Sequence, residues 1–441
     1  MIDSANTRVS QDSVGGRDVG AEMHRLLTDL YPICRSITGN GLRETLRRVQ
    51  SHIPLTIYEV PSGTQVFDWV VPKEWNIRDA YIANSRGERV VDFRESNLHV
   101  VGYSIPVRKK LSLAELREHL FTLPEHPDWT PFRTSFYKER WGFCLPHRQL
   151  LDLPEDEYDV CIDSSLEDGH LSYGEYRIPG DCPDEILISC HSCHPSLCND
   201  NLSGIAVAVQ LAKYLSSAPR RYCYRFVFLP ATIGSITWLS LHETEAFRVK
   251  HGLVLTCVGD SGHTTYKKSR QGNAEIDQAA IHVLKHSGSD YEIVEFSPYG
   301  YDERQFCSPG FNLPVGCLMR TPNGHFPEYH TSADDLNFVR PASLADSLDK
   351  CIRIFDVLEQ NRTWINLNPK GEPQLGKRGL YHTAGGPQGP AFDELALLWV
   401  LNLSDGTHSL LQIAERAGMS FATIRQAAQV LQAVGLLREN A

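Results

Sequence analysis

The chain reads as an α/β protein built on a largely parallel, helix-covered sheet, and two observations carry that reading. From Asp184 onward, apolar strand-like runs alternate with helical spacing: EILIS, a helix after Asp200 with Ile205, Ala208, Leu211 and Leu215 on one face, RFVFL, a helix near Ser235, then GLVLTCV. Such alternation places helices on the faces of a mostly parallel sheet. In these sheets ligands bind beyond the carboxyl ends of the strands. The segment ILISCHSCHPSLCNDNLSG leaves one such end with His191, His194 and Asp200 within ten residues.

Taken in order, residues 1–20 are polar and have no apolar signal-peptide core, so they are expected to form a disordered tail on a cytoplasmic protein. Residues 21–66 open the catalytic domain, with helical spacing split into two helices near Gly39 and Gly41. Residues 67–180 change character. Short β-rich runs such as AYIANSRGERVVDF and NLHVVGYSIPV are separated by Pro, Gly and charged turns, which predicts an inserted β-rich subdomain. The catalytic domain resumes over 181–370, and the Gly- and Pro-rich residues 371–390 read as a linker.

Residues 391–441 give three short helices with a turn at Gly418-Met419-Ser420, the pattern of a winged-helix module. Phosphate binding needs clustered cations, and this stretch carries five acidic side chains against three arginines, with only Arg425 on the would-be recognition helix. Packing or homo-oligomerisation is therefore the expected role, and nucleic acid is not an expected partner. The whole chain agrees, with a net charge of −11 over 441 residues. No apolar run of about 18 residues is present to cross a bilayer, so no membrane partner is expected. The twelve cysteines are irregularly spaced and read as reduced thiols rather than a disulfide framework.

Zinc takes about four ligands from neutral imidazole, thiolate and carboxylate, and a catalytic site leaves one position open. Asp200 with two or three histidines satisfies that need. Asp200 also stands where a helix N-cap is expected. The downstream segment FPEYHTSADD adds His330, with Asp334 and Asp335 placed to accept its second ring N–H. The CSCH string matches a c-type haem attachment pattern, but no export segment accompanies it. The cysteines lack the second C-x-x-C pair of a structural zinc site.

ISCHSCHPSLCNDNLSG, RFVFLPATIGSITWL, YGYDERQFCSPGF and EYHTSADD together resemble the zinc aminopeptidase superfamily that also contains the glutaminyl cyclases. More closely, the chain resembles aminopeptidase-like proteins with an inserted β-subdomain and a C-terminal winged helix, from LYPICRSITGNG to its end. The resemblance implies a zinc-peptidase-like mixed, mostly parallel sheet flanked by helices. It places Asp200 on the metal-bridging aspartate, His330 on the distal ligand and Tyr329 on a tyrosine that steadies the developing oxyanion. His191 falls on the first ligand histidine and His194 on the CHP signature of the closer family, and either completes the set. Against the resemblance, both carboxylates of a Glu-Glu pair, general base and ligand, are missing, with Ala231-Thr232 in their place, and a further aspartate ligand falls on Thr256 unless Asp260 takes that role. One Zn2+ per chain is the resulting expectation.

With Ala231 unable to act as base, the candidates are Glu303 first and Asp302 second, in a loop that also offers Tyr301, Arg304 and Gln305 for substrate binding. The expected function is an aminopeptidase-like hydrolase of amide bonds, acting through a single zinc-bound water on a small peptide or aminoacyl conjugate. The alternatives are zinc-dependent aminoacyl transfer or cyclisation, and a non-catalytic binding homologue that lost the base with Ala231.

Overall fold

The computed structural model describes residues 18–380 and 393–440. They fall into two compact units: residues up to Gly272 with Asp290–Asp349, and Asn273–Ser289 with the chain from Lys350 onward.

The first unit is organised by an eight-stranded sheet. Four parallel strands form its centre in the order Cys223–Leu229, Glu185–His191, Val249–Leu255 and Val315–Met319. Strand Glu185–His191 is buried at every position, as a strand covered on both faces must be. Antiparallel strands flank this centre, His170–Ile178 and Thr56–Pro61 on one side and Thr264–Lys267 on the other, with Tyr291–Val294 parallel to the last at the edge.

The strand His170–Ile178 corrects the expected domain map. It belongs to the large sheet, so the inserted subdomain ends before His170 rather than at 180. HLSYGEYRI looks polar because it carries Glu175, which is buried. Its charge is met inside the fold: Arg225 Nη1 donates to Glu175 at 2.8 Å, Trp238 Nε1 at 3.0 Å, and Arg225 Nε also donates to Glu185 at 2.6 Å. A buried charge is tolerated only when paired and hydrogen-bonded in this way.

The inserted subdomain is a four-stranded antiparallel sheet in the order Arg89–Asp92, Glu74–Ala83, Glu157–Glu167 and Val107–Ser112. Ala80, Ile82, Val160 and Ile162 alternate onto one face and pack with Leu113 and Leu116 as a separate small core. The expected N-terminal helices form at Val19–Leu30 and Asn40–Gln50. The first is capped by the Asp18 side chain, which accepts from Ala21 N–H at 3.0 Å. The expected tail at 1–20 lies outside the described residues as far as residue 17, and Val19 and Gly20 already belong to the helix.

In the second unit, helices Glu394–Leu403, Leu410–Ala417 and Phe421–Ala433 accompany a three-stranded sheet ordered Asp405–Ser409, Thr363–Asn366, Leu437–Glu439. The winged module thus begins near Thr363 and not at 391, because its central strand precedes the expected linker. Residues 381–390 of that linker lie outside the described residues. No helix among the described residues is long and apolar enough to cross a membrane.

Candidate metal centre

Strand Glu185–His191 ends at the centre of the large sheet, and the chain then turns through His194 into a wide π-type turn, Cys198–Leu202, before helix Ser203–Leu215. Asp200 lies inside that turn at φ −109°, ψ 80°, outside helical geometry, so its carboxylate is not spent on capping the helix. His330 comes from the segment after strand Val315–Met319 and sits at φ +57°, a left-handed conformation that a residue with a β-carbon rarely adopts.

These residues converge. His191 Nε2 lies 2.7 Å from Asp200 Oδ1, His330 Nε2 lies 3.0 Å from Asp200 Oδ2, and His194 Nε2 lies 3.9 Å from the same Oδ2. Asp200 and His191 are fully buried, whereas the side chains of His194 and His330 keep 13% and 35% exposure. Burial opposes ionisation of Asp200, but the imidazoles of His194 and His191 and hydrogen bonds from His191 and His330 hold its carboxyl well below the usual range. Burial pushes His194 down to about 3 against the pull of Asp200, which keeps the imidazole neutral, the form that ligates metal.

The supporting residues differ from the expected ones. Asp334 does not serve His330. Its carboxylate accepts the backbone N–H groups of Asn199 at 2.6 Å and Asp200 at 2.9 Å, and so sets the turn that presents Asp200. Asp335 is occupied by Asn337 and Phe338 N–H. Asp260, the alternative ligand, accepts from Thr321 Oγ1 at 2.7 Å, Gly262 N–H at 2.7 Å and Asn199 Nδ2 at 3.0 Å, so its oxygens are taken up by the fold. Thr256 is buried and its hydroxyl donates to Cys257 Sγ at 3.6 Å.

Asn201 fixes His191. Its Nδ2 donates to His191 O at 3.2 Å and Leu255 O at 3.0 Å and lies 3.3 Å from His191 Nδ1, while its Oδ1 accepts Cys257 N–H at 3.3 Å. The amide cannot be reversed without setting its oxygen against two carbonyls. His191 Nδ1 is therefore an acceptor, and the ring proton sits on Nε2, facing Asp200. Two tyrosines back the imidazoles: Tyr301 stacks on His191 with centroids 4.6 Å apart, and Tyr329 stacks on His330 at 3.9 Å. The Tyr301 hydroxyl donates to that of Tyr329 at 3.3 Å. Tyr301, expected to touch substrate, is a buried support behind His191.

The expected base loop divides in two. Glu303 is paired through Oε1 with Lys267 at 2.8 Å, Lys267 Nζ also donates to Tyr299 O at 2.6 Å, and Glu303 Oε2 is left without a hydrogen-bond partner, so this carboxylate is matched by a cation. Asp302 is buried, accepts Ser235 Oγ at 2.8 Å through Oδ1, and leaves Oδ2 without a hydrogen-bond partner. Burial pushes its carboxyl up to about 6, with the nearby His191 pulling the other way. Arg304 and Gln305 do not line the cavity beside His330. Ala231 N–H donates to Cys193 Sγ at 3.3 Å.

Two contributors escaped sequence reasoning. Arg35, in PICRSITGNG, is buried and donates through Nε to His194 O at 2.9 Å and through Nη1 to Leu30 O at 2.6 Å, fixing the His194 loop. Phe132, from the insertion, packs on His194 and His330 with centroids 5.3 and 5.2 Å away, and its N–H donates to His330 O at 2.7 Å. Neither had a local sequence signal, since Arg35 lies 159 residues from His194 in sequence. Beside His330 a cavity of about 520 Å³ opens, walled by Phe132, Phe326 and Tyr329 among others.

The second unit holds another imidazole pair with a carboxylate, His282, His286 and Glu415. Phe421 N–H donates to His282 Nε2 at 2.9 Å, which leaves the ring proton on Nδ1 facing Glu415. Both nitrogens of His282 are thus used within the fold.

Over residues 24–361 the chain matches the family described as a domain of unknown function, DUF4910, and over 362–439 it matches a winged helix-turn-helix family. A Clostridium acetobutylicum protein described as a candidate polysaccharide biosynthesis protein with an aminopeptidase-like domain is 54% identical over 96% of this chain and 97% of its own. A crystal structure of a candidate peptidase from Clostridium acetobutylicum superposes with a TM-score of 0.93 at 52% identity, covering 98% of this chain and 100% of that one. The fold is also that of a zinc aminopeptidase from Bacillus subtilis, TM-score 0.56 at 11% identity, over 77% of this chain and 93% of that one.

Proposed function

Because the chain belongs to the DUF4910 family and carries the fold of zinc aminopeptidases, we propose that it is a zinc-dependent amide hydrolase acting on a small peptide or an aminoacyl conjugate. The observation that carries this reading is the convergence of three imidazoles on one buried, ionised carboxylate beside a cavity. The relative described as a polysaccharide biosynthesis protein favours an aminoacylated sugar as the conjugate over a free peptide.

The donor set fits zinc. His194, Asp200 and His330 would hold one ion, since the Nε2 atoms of His194 and His330 lie 3.9 and 3.0 Å from one oxygen of Asp200, Oδ2, whereas His191, whose donor atom lies within 4.8 Å of those of His194 and Asp200, faces the other oxygen, Oδ1, at 2.7 Å. His191 is the positioning residue: with its proton on Nε2 it donates to Asp200 Oδ1 and fixes the carboxylate. Ala231 and Thr256 supply no carboxylates for a second ion, in keeping with one zinc per chain. Bound there, zinc supplies Lewis-acid activation of the attacking water and of the scissile carbonyl.

The remaining work falls to the chain. Asp302 takes the proton, as a carboxylate with one free oxygen that enters from another segment near Ala231; Ser235, which holds it, is one helical turn beyond that alanine. The Tyr329 hydroxyl, steadied by Tyr301, donates to the developing oxyanion. Phe132 packs on the two partly exposed histidines, His194 and His330, and covers that side of the site.

The test is incubation of the zinc-loaded protein with leucine amide and with glycyl-glucosamine in 18O-enriched water. Hydrolysis places one 18O in the released amino acid carboxylate. No release from either compound, or release as an unlabelled transfer product, would contradict the proposal.

A further inference from the structure

The cavity beside His330 is a joint product of two segments, Leu123–Thr134 of the insertion and Gly324–Thr331 of the core. Their junction is a continuous set of backbone contacts: Pro131 bridges Thr331, Ser332 N–H donates to Thr130 O at 2.8 Å, and Thr130 N–H donates to Ser332 Oγ at 2.9 Å. The insertion is thereby fastened to the His330 segment, and whatever it carries into the cavity is held in place.

It carries Arg133. The backbone of this residue is held by Gly102 N–H, which donates to its carbonyl at 2.8 Å. The guanidinium lies 5.3 Å from the Phe121 ring centroid, a cation–π contact that restrains the side chain without neutralising it. Among the described residues it has no ion pair and no hydrogen bond, although Arg43, Arg78, Arg89 and Arg225 are all matched with carboxylates. Glu125 lines the same cavity and is likewise unpaired among the described residues, and it makes no ion pair with Arg133. The cavity next to the candidate ligands therefore presents separated, uncompensated charges of both signs.

We infer that Arg133 and Glu125 select a zwitterionic substrate, Arg133 taking a carboxylate or phosphate group and Glu125 a free amine of the molecule whose amide lies at the His330 side. A planar guanidinium pairs two oxygens of such an anion at once, which gives orientation as well as affinity. The inference deepens the hydrolase reading and rests on it for assigning the cavity to substrate. It also gives the insertion a role: a zinc-peptidase core receives its specificity from a segment outside that core.

The test measures binding without turnover, by calorimetry on the intact protein with its metal. The probes are the ketomethylene isostere of glycyl-leucine, which has no amide to cleave, as the free acid, the phosphonic acid, the C-terminal amide and the N-acetylated acid. The acid or phosphonate binds the wild type at least about tenfold more tightly than the amide, equivalent to about 1.4 kcal/mol. The tighter of the two identifies the anion. Arg133→Ala removes this preference, Arg133→Lys keeps part of it, and Glu125→Gln removes the preference for the free amine over the N-acetyl form. Both positions are exposed, and an unchanged unfolding midpoint checks that the variants fold. Equal affinity for acid and amide, or a preference that survives Arg133→Ala, overturns the inference. A protein that shows the preference but releases no 18O-labelled product fails only as a hydrolase; one that hydrolyses without it fails only here.

Discussion

On the proposed reading, Asp302 replaces from another part of the chain the carboxylate absent at Ala231. Ala231 removes the carboxylate expected at its position, and Asp302 brings one to the same helix end, buried, bonded through one oxygen and free at the other. A base must be deprotonated to act, and burial pushes this carboxyl up to about 6. The kcat/KM for amide hydrolysis is therefore expected to rise with pH to a plateau above about 6 and to fall below it as Asp302 takes up a proton. Asp302→Asn should lower kcat by about 100-fold or more and abolish that acidic limb, whereas Glu303→Gln should leave the limb in place. A pH–rate profile for both variants checks this, and an acidic limb that persists in Asp302→Asn would assign the base elsewhere. The gathering of His191, His194 and His330 around Asp200 was legible because imidazole and carboxylate at the end of an apolar strand have few other uses. The choice between His191 and His194 was not, because it depends on an amide, Asn201, whose orientation is set by carbonyls distant in sequence. Glu303 and Asp302 are adjacent in sequence, and only Lys267, from an outer strand, tells them apart.

The elements that present Asp200 are joined at very short range. A β-carbon on Gly204, in the first turn of helix Ser203–Leu215, would lie 2.5 Å from Asn201 Oδ1 and 2.6 Å from Leu255 O. Glycine there lets the helix start against the end of strand Val249–Leu255, which keeps Asn201 on His191. Gly204→Ala is expected to destabilise the protein by about 2 kcal/mol or more, as overpacking against backbone does. It should also weaken metal retention, because the clash falls on the residue that orients His191. Urea denaturation and dialysis against a chelator measure the two effects; a variant equal to wild type in both would contradict this view of the turn. Three of the four central parallel strands were legible as apolar runs between helices, and Val315–Met319 was not read. Strand His170–Ile178 was not, since its buried Glu175 reads as a surface residue until Arg225 and Trp238 are seen around it. Strand Thr363–Asn366 was missed for another reason. Four residues carry little periodicity, and both of its partners lie about 40 residues or more downstream.

At the scale of the molecule, a sheet with the fold of a zinc aminopeptidase gathers three histidines and an aspartate around the end of one central strand. Ala231, Thr232 and Thr256 stand where the resemblance implies carboxylates, a histidine beyond the strand end faces Asp200, and a segment from the insertion walls the cavity. The architecture could be read from the order of strand and helix patterns, but the partnership between insertion and His330 could not, because it joins residues 200 apart through backbone contacts. The measurement to make is zinc per chain by elemental analysis, on protein purified without added metal, for wild type, His191→Asn, His194→Ala and His330→Ala. One zinc in the wild type, lost in His194→Ala and His330→Ala but retained with weaker affinity in His191→Asn, is the expected result. Two zincs per chain, none, or a pattern in which His194→Ala keeps the metal and His191→Asn loses it would contradict the assignment.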